Sequence, residues 1–176
     1  MKLVVVSAGH APASGTSRLG GLIAQEVGRQ REGTDVELIE LRTIATETVT
    51  ALLTGEALPP VREAVEQVRS ADGLVLLTPT LNASFSGLLK CFLDVLPRDA
   101  LRGVPTLMGA TGGTRRHTLV LDQSLRPMLA SLRAVVLPSA LFVTAGEWQG
   151  QAPGEELAAR VASSCQELVR FQALSA

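Results

Sequence analysis

Short apolar runs alternate along this chain with longer segments of helical periodicity. The two clearest runs cover residues 2–7 and 73–78 and are rich in Leu and Val. Uninterrupted apolar runs of this length are typical of strands that are buried on both faces of a sheet. Three further strands are predicted over 35–41, 104–110 and 135–143, and the first of these is placed near the sheet edge because its pattern alternates.

Five segments that follow these strands have the spacing or end signals of helices. They are a helix containing Leu19, Leu22, Ile23 and Val27, a helix opening at Pro59-Pro60, a helix over 86–96 stopped by Pro97, a segment over 117–133 bent by Pro127, and a closing helix over 155–174. Strands alternating with helices predict parallel βαβ units. We therefore expect one three-layer α/β domain over 1–176, with ligands bound beyond the carboxyl ends of strands one, three and four.

Composition adds a large apolar core to this picture. Of 176 residues, 46% are hydrophobic and 19% are charged, and the formal net charge is −1. No basic face for nucleic acid is indicated. The first apolar run is too short for a signal peptide or a membrane span, so a cytoplasmic location is expected. Cys91 and Cys165 match no metal or redox spacing and are predicted to be buried free thiols.

The loop after the first strand has the residues of an anion cradle. Hydroxyl groups from Ser14, Thr16 and Ser17, two glycines, a helix N-terminus and Arg18 fall within a few positions. The spacing fits neither the dinucleotide nor the triphosphate glycine motif, so a terminal phosphate monoester is the predicted ligand. The alternative interpretation is that these residues simply cap the helix.

Two further loops lie where a flat ring could rest against main chain. They read Thr78-Pro-Thr-Leu-Asn-Ala-Ser-Phe-Ser-Gly87 and Ala110-Thr-Gly-Gly-Thr-Arg-Arg-His117. Arg115 and Arg116 would attract a phosphorylated second substrate, or would be solvated surface arginines. His117 would contact that substrate, cap a helix or lie in the core.

Together the three loops resemble those of the NAD(P)H-dependent FMN reductases, flavodoxin-like enzymes that supply reduced flavin to two-component monooxygenases. The resemblance rests on Pro79-Thr-Leu-Asn-Ala-Ser-Phe-Ser-Gly-Leu-Leu-Lys90 with Asp94, and on the third loop followed by Asp122-Gln-Ser-Leu-Arg-Pro127. It runs from the first strand to about Val143. It is nearest to the branch associated with luciferase-like monooxygenases and more distant from the sulfonate-utilisation reductases.

The resemblance implies a five-stranded parallel sheet of order 2-1-3-4-5, with FMN at the point where strand order reverses. The implied FMN-binding residues are Ser14, Thr16, Ser17 and Arg18 for the phosphate, and Pro79, Thr80, Leu81, Asn82, Ser84, Thr111, Gly112, Gly113 and Thr114 for the isoalloxazine ring. Arg115 and His117 are expected to contact NAD(P)H, the co-substrate. Homodimers or homotetramers with the flavin near a subunit interface are implied, as is a partner monooxygenase.

The sequence departs from the family pattern at two positions. Leu81 stands where relatives often have an aromatic residue, and Gln123 stands where they have Tyr or His. Loss of a stacking ring at position 81 would forfeit about 0.5–1.5 kcal/mol of binding free energy, which suits a flavin that leaves as product. In some relatives a helix bulge near the second position governs flavin exchange and oligomeric state.

The implied reaction is hydride transfer from nicotinamide C4 to flavin N5, which needs no acid–base side chain because both partners carry their own reactivity. The sequence shows no triad or metal motif, so no catalytic side chain and no metal ligand are predicted. Backbone N–H groups of residues 111–114 would stabilise charge on the ring. The alternatives are a quinone, azo-dye or chromate reductase with bound FMN, a flavodoxin-type electron carrier, or a scaffold that has lost its flavin.

Overall fold

The computed structural model describes residues 1–175; Ala176, the last residue of the predicted domain, lies outside the described residues. The strands are β1 (Lys2–Ser7), β2 (Asp35–Glu40), β3 (Gly73–Leu81), β4 (Ser84–Phe85), β5 (Pro105–Gly112), β6 (Val135–Thr144), β7 (Trp148–Gln149) and β8 (Ala152–Pro153). The α-helices are α1 (Gly15–Gln30), α2 (Ala45–Thr54), α3 (Pro59–Arg69), α4 (Gly87–Val95), α5 (Arg126–Ser131) and α6 (Glu155–Ser175).

Five parallel strands form the main sheet in the order β2-β1-β3-β5-β6. This is the flavodoxin-like order 2-1-3-4-5 when the long strands are counted along the chain, so the predicted topology is confirmed. The sheet differs in having a sixth strand, because β3 continues to Leu81 and turns back as the short antiparallel β4. Strand order reverses between β1 and β3, and a site is expected beyond the carboxyl ends of that pair.

The main sheet is covered on both faces. Leu3 and Val5 of β1 point toward α1 and α6, whereas Val4 and Val6 point toward the layer that contains α3, α4 and α5, and all four side chains are fully buried. Alternate residues of a strand face opposite sides, so a strand buried on both sides must be apolar at every position. This explains why β1 and β3 were the clearest strands in the sequence.

The helix α2 was not predicted. Four of its ten residues are Thr, whose restricted side chains lower helix propensity. In the structure the Thr hydroxyls donate hydrogen bonds to the carbonyl four residues earlier, as in Thr48 to Ile44 at 2.8 Å and Thr50 to Thr46 at 2.9 Å. Backbone bonding of this kind satisfies the hydroxyl groups within the helix.

The segment predicted as one bent helix over 117–133 consists of separate pieces. A 3₁₀ turn at Arg115–His117 is followed by a π-helical turn at Leu121–Leu125 and then by α5. Pro127 lies in the first turn of α5, where a missing N–H costs little. The π-helical turn contains Gln123, so this chain has a helix bulge at the position that the resemblance indicated.

The two cysteines differ in their surroundings. Cys165 is buried, and desolvation together with the nearby Glu26 carboxylate raises the pKa of its thiol to about 12. Cys91 is only partly buried, so the prediction of two buried thiols is correct for one of them. Among residues 1–175, no helix is long and apolar enough to span a membrane.

Replacing Gly109 with Ala is expected to destabilise the fold, because a Cβ atom there would lie 2.7 Å from Leu77 Cδ2 and 3.2 Å from the Leu141 carbonyl oxygen. Overpacking of this kind costs about 1–3 kcal/mol. The control is Gly21→Ala in α1, where a Cβ atom would meet no atom of residues 1–175 within 4 Å. Helix propensity predicts a gain of up to about 1 kcal/mol there. Urea unfolding measures both free energies, and equal effects would contradict the packing argument.

Candidate functional site

A cleft of about 480 Å³ opens at the carboxyl edge of the sheet, beside the β1–β3 switch point. Six of the residues predicted from the sequence line it, namely Arg18, Pro79, Thr80, Thr111, Gly112 and Gly113. Its volume is within the usual range for sites that bind small organic ligands. The structure therefore brings the first, second and third predicted loops together around one cavity.

The first loop is closed by its own hydroxyl groups. Ser14 is the N-cap of α1 and accepts a hydrogen bond from Ser17 N at 3.0 Å, and the two hydroxyl oxygens are 2.9 Å apart. Gly9 is required here, because a Cβ atom at this position would lie 2.0 Å from Ser14 Oγ. Thr16 is buried and joins the first loop to the third through a 2.8 Å contact between its Oγ1 and that of Thr111.

Arg18 lies in the cleft wall, but its guanidinium group contacts protein. Its Cζ is 3.8 Å from the centroid of the Trp148 ring, a cation–π arrangement, and Nη2 donates a hydrogen bond to the Gly150 carbonyl. The residue thus holds the β7–β8 hairpin against the start of α1. Its predicted role at a phosphate group stays a prediction.

The second loop is a tight hairpin between β3 and β4. Asn82 and Ala83 form its turn with φ angles of 48° and 63°. Left-handed backbone is common for Asn but strained for Ala. Leu81 and Ser84 flank the turn and are exposed, so the structure places Leu81, Asn82 and Ser84 beside the cleft rather than in its lining.

A hydrogen-bonded linkage fixes the base of this hairpin. Thr78 Oγ1 accepts a hydrogen bond from Ser86 N at 2.8 Å, and Ser86 caps α4. His10 is exposed, and its ring Nε2 lies 3.1 Å from Ser86 Oγ. The first and second loops are therefore connected directly.

Features inside the cleft fit the ring of a flavin. Thr80 Oγ1 is buried and has no hydrogen-bond partner within residues 1–175, although buried hydroxyl groups are normally bonded. Gly113 has open space where a Cβ atom would be, so its backbone is accessible to a ligand. A planar heterocycle with polar edges would find both a free hydroxyl and exposed main chain here.

The last predicted residues of the third loop, Thr114 for the isoalloxazine ring and Arg115 and His117 for NAD(P)H, partly contact other groups of the protein. Thr114 caps the short turn at Arg115–His117 by accepting from Arg116 N at 3.4 Å. Arg115 Nη2 lies 3.2 Å from Glu147 and 3.6 Å from Glu156. His117 is partly buried at the end of the turn. The contact of Thr114 with FMN and those of Arg115 and His117 with NAD(P)H stay predictions.

Glu147 is the polar centre of a fourth loop, which follows β6. Its carboxylate accepts hydrogen bonds from Thr144 N at 2.8 Å, Thr144 Oγ1 at 3.0 Å and Arg160 Nη1 at 2.6 Å. Burial raises the pKa of this carboxyl, but the bonds from Thr144 and the bond and charge of Arg160 outweigh burial and place the pKa below its usual value of 4.5.

Sequence reasoning missed this fourth wall of the cleft, which consists of Val143, Thr144, Ala145 and Trp148. One signal was available. Thr144 and Glu147 have the spacing of a capping box, and the structure shows both of its hydrogen bonds. A capping box directly after a buried strand indicates an ordered turn at the edge where ligands bind.

Comparison with known proteins identifies the family. The sequence model of the NADPH-dependent FMN reductase family matches residues 1–149. An FMN reductase (NADPH) from Pseudomonas aeruginosa is 34% identical over 91% of this chain and 86% of its own length. The NADH-dependent FMN reductase SfnE from Pseudomonas putida is 35% identical over 96% of this chain and 91% of its own.

A solved structure agrees with these sequence relatives. An oxidoreductase from Corynebacterium diphtheriae superposes with a TM-score of 0.91 at 36% identity, covering 98% of this chain and 97% of its own. The chain therefore belongs to the NADPH-dependent FMN reductase family. The predicted family, the enzyme class and the pairing of FMN with a nicotinamide coenzyme are confirmed by this membership.

Replacing Glu147 with Gln is expected to lower the free energy of unfolding at pH 7 by about 1–3 kcal/mol, because a buried charged acceptor is lost. The folded-state pKa lies below 4.5, so the stability linked to ionisation is complete above that value and is lost as pH falls through the folded-state pKa. The difference between wild type and variant should therefore shrink in acid. Urea unfolding across pH 3–8 measures it, with the exposed Glu32→Gln as control, and a pH-independent difference would contradict the assignment.

Proposed function

We propose that this protein reduces FMN with NADPH or NADH and releases the reduced flavin to a partner monooxygenase. The observation that carries the proposal is a cleft at the β1–β3 switch point. Its lining offers the hydroxyl of Thr80, which has no hydrogen-bond partner among residues 1–175, and the open backbone at Gly113. A flavin held there would supply the acceptor for hydride from the nicotinamide, and the task of the protein would be to position the two rings.

Each side of the cleft has a separate task in this scheme. Thr80 Oγ1 would bond to a polar edge of the ring, and the backbone N–H groups of residues 111–114 would face the charge that develops on it. The hydroxyl groups of the first loop would hold the phosphate at the N-terminus of α1. The ring of Trp148, fixed by Arg18, would limit water access from the side of the fourth loop.

Exposed apolar side chains support the proposal that the protein is a homodimer or homotetramer. Leu52 and Leu53 of α2 are 41% and 79% exposed, and Leu119, beside the π-helical turn, is 59% exposed. Large apolar side chains left exposed on the surface are candidates for burial at a subunit interface. A cytoplasmic location is proposed with the free thiols of Cys91 and Cys165 in support, since disulfides are rare there.

Coenzyme oxidation that depends on added FMN is the expected result in a direct assay. Protein, FMN and either NADPH or NADH are mixed, and coenzyme absorbance is followed as FMN is varied. A rate that rises with FMN in a sequential kinetic pattern supports flavin reduction. A ping-pong pattern with quinone, or yellow protein that survives dialysis without oxidising coenzyme, would favour a quinone reductase or an electron carrier instead.

Replacing Gly113 with Leu is expected to block flavin binding without unfolding the protein, because a side chain there meets open cleft instead of protein atoms. We expect FMN affinity to fall about 100-fold or more. Gly28→Leu is the matched control, since that position is also open but lies on α1 away from the cleft. Fluorescence titration measures both affinities, and unchanged FMN binding by Gly113→Leu would contradict the placement of the ring.

A further inference from the structure

Glu40 brings a carboxylate to the first loop. It is the last residue of β2, and its Cα pairs with that of Ser7 at the end of β1. Its side chain is only 17% exposed. Glu40 Oε2 accepts a hydrogen bond from Ser17 Oγ at 3.0 Å and lies 3.7 Å from Arg42 Nε. An acidic group therefore sits directly behind the hydroxyl groups that were predicted to hold a phosphate.

This carboxylate determines which way the hydroxyl protons of Ser7, Ser14 and Ser17 point. An ionised carboxylate only accepts, so the single Ser17 hydroxyl proton points to Glu40. Ser17 Oγ also lies 2.9 Å from Ser14 Oγ and 3.1 Å from Ser7 Oγ. With its own proton committed, Ser17 must accept at both contacts, so Ser14 and Ser7 donate to it. All three hydroxyl protons are thus used inside the protein.

A phosphate dianion competes with Glu40 for these protons. It too accepts only, so Ser17 cannot donate to the phosphate and to Glu40 at once. Binding of a phosphate would separate Ser17 from Glu40 and leave a carboxylate beside a second negative charge, which is unfavourable at short range. The riboflavin portion of the ligand would bind in the cleft, away from Ser17, so Glu40 would not compete with it for a proton.

We propose that Glu40 determines the affinity of the protein for the flavin phosphate by competing for the Ser17 hydroxyl, so that FMN is held weakly enough to leave after reduction. The inference rests on the proposed function, because it takes FMN as the ligand of the cleft. It assigns Glu40 to flavin exchange rather than to hydride transfer.

Glu40→Gln tests the proposal by keeping the shape and removing the charge. The amide can donate to Ser17, which frees the Ser17 proton for a phosphate. The expected result is an FMN affinity increased about tenfold, equivalent to about 1.4 kcal/mol, with riboflavin affinity unchanged within about twofold. Titration of the flavin fluorescence at fixed salt measures both, without turnover.

Glu37→Gln is the matched control. It removes the same charge from the same strand, but Glu37 pairs with Lys2 Nζ at 3.1 Å and lies about 10 Å away along the strand. We expect its effect on FMN affinity to be below about twofold, because screening weakens a charge at that distance. An equal gain in both variants would overturn the proposal, because it would show a general effect of net charge.

Ser17→Ala, combined with Glu40→Gln in a double-mutant cycle, provides a second test. Without the contested hydroxyl, Glu40→Gln should produce a much smaller gain in FMN affinity than it does in the wild-type background. If Glu40→Gln does not fold, Glu40→Ala replaces it with the same expectation. No gain in FMN affinity, or an equal gain for riboflavin, overturns the proposal but not the proposed function. A wild-type protein that binds neither flavin overturns both.

Discussion

The parallel ladder that joins β1, β3 and β5 is the constraint on which the site depends. Val6 pairs with Leu76 and Ser7 with Leu77, and Leu77 in turn pairs with Gly109. The ladder continues one step into the first loop, where Ala8 N donates to the Leu77 carbonyl at 2.9 Å. Three loops far apart in sequence therefore begin side by side. Small residues at this edge, Gly109 among them, let the strands and their covering layers approach closely.

The polar groups at the two ends of the cleft contribute differently to the free energy of ligand binding. Those at the first loop already have hydrogen-bond partners in the protein, and the Thr80 hydroxyl at the second loop has none among the described residues. At the first loop, Ser14 Oγ bonds to Ser17 Oγ, and Ser17 Oγ donates to Glu40, so a ligand must exchange existing hydrogen bonds for new ones. At the second loop, Thr80 Oγ1 has no partner within residues 1–175, so a ligand that bonds to it removes a desolvation penalty. Affinity for a flavin would accordingly come more from the ring than from the phosphate.

The sequence predicted the elements whose pattern follows from burial, and it missed those that depend on distant contacts. The strands β1 and β3 and the three loops were predicted because a sheet buried on both faces requires unbroken apolar runs. The helix α2 was missed because its Thr residues suggest no helix until their hydroxyls are seen bonded along it. The fourth wall depends on Arg18 meeting Trp148, a pair 130 positions apart that no local pattern indicates.

The hairpin at Asn82 and Ala83 has a consequence for the kinetics of ligand capture. Its turn, the antiparallel pairing of Thr80 with Phe85 and the bond from Ser86 N to Thr78 are all formed between residues of the protein itself. A loop held by its own hydrogen bonds loses little conformational entropy when it binds a ligand. Encounter rates would then be limited by diffusion into the cleft rather than by the ordering of a flexible segment.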